Sequence, residues 1–163
     1  LNGRSNATIA AIVAIAIGVA GCGGGGDDGS EISTSSLSKA EFTRKAEAIC
    51  VKGQKQVERN FGAFAKKTDF NLRQVSQNPT KAQVNGLVNS VLIPAIKQEI
   101  AAIRALGAPQ GDEDQIEAML EANEEGIATA EDLPREVLEK TEVAFGVASR
   151  LAKEYGLALC GQR

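Results

Sequence analysis

The sequence predicts an all-α protein: an antiparallel four-helix bundle with a kinked second helix, spanning residues 38–163 behind a disordered N-terminal tether. Three observations predict it. Aromatic residues make up only 4% of the chain, with no Trp and a single Tyr, so the core must come from Ala, Ile, Leu and Val, which suit packed helices. Apolar residues recur at helical spacing in four stretches, and no run alternates at period two over a useful length. Gly, Pro and Asn punctuate those stretches with mostly short connections, as antiparallel neighbours require. Hydrophobic residues at 43% and charged residues at 24% are ordinary for a folded domain.

Residues 1–21 read as an export signal. A short polar start carries Arg4, and an apolar run follows from Ala7 through Ala20, interrupted only by Thr8 and Gly18. Crossing the hydrocarbon core comfortably takes about 20 apolar residues, so the run fits a signal-peptide core better than a membrane span. It ends in Val19-Ala20-Gly21-Cys22, which resembles the lipobox of bacterial lipoproteins. The resemblance implies a diacylglyceryl group in thioether linkage to Cys22 and cleavage between Gly21 and Cys22. It also implies a new amine open to acylation, with palmitate among the acyl chains. Two or three chains anchor stably where one exchanges. The alternatives are an uncleaved N-terminal anchor and an ordinary signal peptide with a coincidental Cys. Residues 22–37, rich in Gly, Asp and Ser, cannot bury apolar surface and read as a tether. Their expected reach is roughly 20 Å r.m.s., and about 50 Å when extended.

The first helix opens at Ser38, which forms an S-x-x-E capping box with Glu41 while Leu37 and Phe42 stand at staple spacing. Its apolar face runs through Phe42, Ala46, Ile49, Cys50, Val57, Phe61 and Phe64. Residues 68–77 read either as a plain long connection or as one that holds a helical turn around Phe70 to Val75. Asn78-Pro79 reads as the cap and first position of a second helix that continues through Val84, Val88, Ile96 and Ile103 to Leu106. Pro94 lies inside it and deletes one backbone hydrogen bond, which predicts a kink or a break. Gly107 and Pro109 end it, and Gly111-Asp112-Glu113-Asp114 opens a third, acidic helix. Asp132 and Pro134 mark the start of a fourth, carried through Leu138, Phe145, Ala148 and Tyr155 to Gly156.

With Cys22 assigned to lipid, Cys50 and Cys160 remain, and an exported protein permits them to pair. Cys50 lies about 18 Å along the first helix from Ser38. The residues from Tyr155 to Cys160, run back extended, cover roughly 17 Å, so the bundle brings the two cysteines level. The alternative, a redox or metal role, lacks a CxxC pair or any His. Lys39-Ala40-Glu41-Phe42, Ala46-Glu47-Ala48-Ile49-Cys50 and Tyr155-Gly156-Leu157 with Cys160 resemble a group of small exported proteins of high-GC Gram-positive bacteria. The stretch Ile103 to Glu113 fits the same group. This resemblance implies no activity.

Eighteen basic residues stand against 21 acidic ones, a net charge of -3. That balance argues against nucleic acid, which selects a basic patch or stripe, and against a polybasic membrane-surface mode. The absence of His removes the commonest general base and metal ligand, so the reading is not an enzyme and implies no cofactor or metal. The acidic series from Asp112 to Glu125 lacks calcium-loop spacing and reads as a solvated face. No Glu occupies a position that predicts burial. Asn85, Asn89 and Ser90 interrupt an apolar helix just before Pro94 and are candidate pocket residues. The expected function is therefore a membrane-anchored, extracytoplasmic module binding an envelope protein or cell-wall partner. A small-molecule pocket near Pro94 is the alternative.

Overall fold

A computed structural model describes residues 36–68, 70 and 79–162. The signal segment, the lipobox with Gly21 and Cys22, the tether through Ser35 and the Asn78 cap lie outside the described residues. The fold is a helical bundle, and the described residues contain no strand.

Helix α1 spans Lys39–Thr68. The Ser38 N–H donates to Glu41 Oε2 at 3.1 Å, and the Glu41 N–H donates to Ser38 Oγ at 3.3 Å, which completes the capping box. The Ser38 side-chain and backbone bonds, then the charges of Lys45 and Arg44, hold the exposed Glu41 carboxyl below its usual range. Phe42, Ala46 and Cys50 carry the buried face. At the far end Phe70 folds back with its N–H on the Ala65 carbonyl, and its ring meets those of Phe61 and Phe64 edge-on at 5.8 and 5.4 Å.

Helix α2, Lys81–Leu87, starts two residues later than expected. Thr80, not Asn78, is its N-cap, in a reciprocal capping box with Gln83. A π-turn, Val88–Leu92, carries α2 directly into α3, Ile93–Arg104. The Ile93 N–H reaches back five residues to the Val88 carbonyl, and Pro94, which has no N–H to donate, directly follows the π-turn in the first turn of α3. Together Lys81–Arg104 is long and apolar enough by composition to cross a membrane. Its stripe of Val84, Val88, Val91, Ile96, Ile100 and Ile103 is instead buried in the core.

Helix α4 spans Glu113–Asp132, α5 Pro134–Glu139 and α6 Glu142–Tyr155. The fourth predicted helix is thus broken at Lys140, whose extended backbone (φ -152°, ψ 94°) ends α5 after six residues. Gly156, at φ 104°, closes α6 in a left-handed cap, and Leu157 N–H returns to the Ala152 carbonyl at 2.8 Å. The chain then turns so that Leu157, 0% exposed, enters the core.

Charge is segregated in this arrangement. Helix α1 carries eight basic and three acidic residues, whereas α4 carries eight acidic residues and no basic one. Helix α3 packs against both. The near-neutral total of the whole chain is therefore the sum of one strongly basic and one strongly acidic helix.

Candidate functional site

Cys50 and Cys160 are joined, with Cα atoms 5.2 Å apart across a separation of 110 residues. The bond ties the middle of α1 to the turn that follows α6. The same turn is held by Glu47, whose two carboxylate oxygens both accept from the Leu159 N–H at 3.0 Å.

Next to this bond lies a buried carboxyl group that sequence reasoning missed. Glu99 on α3 is 7% exposed, and its Oε1 is 3.2 Å from Cys50 Sγ. A disulfide sulfur has no proton to donate, so this is an oxygen–sulfur contact. On reduction, the new Cys50 thiol would find an acceptor already in place. Gly53 makes room for the group: a Cβ there would collide with Glu99 Oε2. The signal was present in the sequence, because Glu99 stands three residues after Ile96 and four before Ile103, on the core stripe itself.

Gly53, Ala95 and Glu99 form the shared floor of two hollows in the groove between α1 and α3. One, of about 130 Å³, is bordered by Ile49, Lys52 and Gln98. The other, of about 320 Å³, is bordered by Val57, Leu92 and Ile96. The small residues at the helix crossing create the space, and Glu99 places a carboxyl group on its floor.

The predicted pocket residues do not line these hollows. Asn89 and Ser90 are exposed, and Asn89 Nδ2 spends its donor on the Asn85 carbonyl one turn back at 2.9 Å. Asn85 is half-buried, with an Oδ1 that has no hydrogen-bond partner among the described residues. The π-turn rotates Asn89 and Ser90 outward, and the space near Pro94 opens on the neighbouring face through Leu92 and Ala95. Among the described residues no three His, Cys, Asp or Glu side chains are grouped to hold a metal.

A second polar constellation closes one end of the bundle. Asp112 stands at the N-terminus of α4 but makes no cap bond; it accepts from the Tyr155 hydroxyl at 2.7 Å and pairs with Lys39 Nζ at 3.4 Å. Lys39 Nζ also lies 4.1 Å over the Tyr155 ring. Burial, then the hydrogen bond to Asp112 and the charge of that carboxylate, push the Tyr155 phenol well above its ordinary value. The folded state keeps this proton where the unfolded chain releases it, near pH 10. Its contribution to stability is therefore complete below about pH 10 and declines as pH rises beyond it. Tyr155 is the only tyrosine, so absorbance at 295 nm reports it alone. The phenolate is expected to form together with the loss of helical ellipticity; phenolate formation in a still-helical protein would contradict this.

No family model, curated protein sequence or solved structure matches the chain.

Proposed function

We propose that this protein is an exported lipoprotein, held to the outer face of the cell membrane through lipid on Cys22. It presents residues 38–163 as a non-catalytic module that binds an envelope protein or a cell-wall partner. The observation that carries the reading is the Cys50–Cys160 bond, because such bonds persist in oxidising compartments outside the cytoplasm. Val19-Ala20-Gly21-Cys22 supplies the anchor by its resemblance to a lipobox. The fold in this reading is an antiparallel four-helix bundle of α1, the helix Lys81–Arg104, α4 and α6, bent at the π-turn before Pro94. The short connections at 105–112 and 133–141 support it.

Growth of producing cells on labelled palmitate tests the reading. The label is expected in the membrane-bound protein, absent from Cys22→Ala, and accompanied by a Cys50–Cys160 bond in the same material. Unlabelled protein in the cytosol with all three thiols open to alkylation would overturn it.

The groove lined by Val57, Leu92, Ala95 and Ile96 beside Pro94 favours a second reading, a small-molecule carrier whose ligand is mainly apolar. Native mass spectrometry of protein taken from membranes is then expected to show a bound molecule that Gly53→Leu, by filling the groove, excludes. Ligand-free wild-type protein would remove this reading.

A further inference from the structure

Helix α1 presents a basic face to solvent. At about 100° per residue, Arg44, Lys45, Lys52, Lys55, Arg59, Lys66 and Lys67 fall within an arc of about 140°. Their mean direction lies about 140° around the helix from that of the buried Phe42, Ala46 and Cys50. From Arg44 to Lys67 the face is about 35 Å long. None of the seven makes an ion pair among the described residues, whereas Lys39, Lys97 and Arg104 all do. The three carboxylates of α1 leave the face basic. Glu47, which accepts from Leu159, and Glu58, which borders the groove toward α3, lie outside the arc; Glu41 lies within it at its N-terminal end, beside Arg44 and Lys45, and offsets one of the seven charges.

Resting on the lipoprotein reading above, we propose that this face of α1 lies against a bilayer of anionic phospholipids, so that the domain rests along the membrane instead of standing off it. Charge complementarity selects the surface, and the acidic α4 selects the orientation, since its eight carboxylates are repelled by the headgroups that attract α1. Chain length selects the bilayer over a soluble polyanion. Helix α1 begins 17 residues after Cys22 (39 − 22), so lipid on that cysteine holds the basic face at high effective concentration over the bilayer. Each basic residue near an anionic surface strengthens binding by about fivefold, and salt screens the effect.

The mature, lipidated chain in vesicles of phosphatidylcholine, with and without one-third phosphatidylglycerol, tests this through the rate at which its lysines are acylated. With phosphatidylglycerol, labelling of Lys52, Lys55 and Lys66 is expected to slow by about tenfold relative to Lys140, and to recover in 0.5 M salt. The combined variant Lys52→Gln, Lys55→Gln, Arg59→Gln and Lys66→Gln is expected to stay anchored, keep its helical spectrum and lose the slowing at Lys45 and Lys67. Equal labelling in both vesicle types, with the protein still anchored, overturns the proposal and leaves the lipoprotein reading standing. Protection that follows soluble polyphosphate in preference to the vesicles overturns it in favour of a polyanion partner. If the chain carries no lipid, the lipoprotein reading fails. The same mature chain must then co-sediment with phosphatidylglycerol vesicles at low salt, and its remaining in the supernatant overturns the proposal independently.

Discussion

Reducing the Cys50–Cys160 bond is expected to lower the thermal midpoint of the domain by about 15 °C. A cross-link between residues 110 apart removes about 4–5 kcal/mol of chain entropy from the unfolded state. A domain of this size has a total stability of about 5–15 kcal/mol, and each kcal/mol moves its midpoint by roughly 3–5 °C. The bond does more than shorten the unfolded chain. It pins a C-terminal turn that is also held by the buried Leu157 and by the paired bonds from Leu159 N–H to Glu47. Melting followed by helical ellipticity, with and without reductant, checks the prediction, and the double variant Cys50→Ala/Cys160→Ala should match the reduced protein. A shift of less than about 5 °C would mean that the turn stays docked without the bond and that the unfolded chain is already compact.

The second large effect is expected at the crossing of α4 and α6. Gly126 is buried there, and a Cβ at this position would stand 2.5 Å from Phe145 Cδ1 and 2.7 Å from the Ala144 carbonyl oxygen. Phe145 is 1% exposed, so its ring has nowhere to swing, and the carbonyl is backbone. The helices must separate, at a cost of about 1–3 kcal/mol that exceeds the gain in helix propensity. Gly126→Ala is therefore expected to destabilise the domain by about 2 kcal/mol. Gly146 lies on α6 of the same pair, yet a Cβ there would only touch Glu142 Cβ at 3.7 Å. Gly146→Ala is expected to stabilise by about 0.5–1 kcal/mol, the ordinary benefit of Ala over Gly inside a helix. Denaturant unfolding of the two variants side by side measures both. Stabilisation by both would show that helix propensity, not the packed crossing, governs Gly126.

The sequence carried the local rules of the fold. Ser38 with Glu41 opened α1 where expected, and Gly156 closed the last helix, because caps depend on residues three or four apart. Cysteine parity and the length of an α-helix were enough to pair Cys50 with Cys160. Two local signals were passed over. Thr80 with Gln83 is as good a capping box as the first, and Glu99 sits openly within the isoleucine stripe of α3. Other features were not local at all. Whether Pro94 breaks, bends or widens its helix depends on whether the surrounding core can hold a π-turn. That Asp112 gives its side chain to Tyr155 and Lys39 instead of capping α4 depends on residues 43 and 73 positions away.

By itself, then, the sequence determined that this chain is helical and that Cys50 pairs with Cys160. Tertiary structure alone decided the rest. It placed a carboxyl group between small residues at the crossing of α1 and α3, turned Asn89 and Ser90 to solvent, and set a basic helix and an acidic one on a common neighbour. Net charge cannot report such a division, because a sum over the chain discards position, and electrostatic attraction to a surface depends on position.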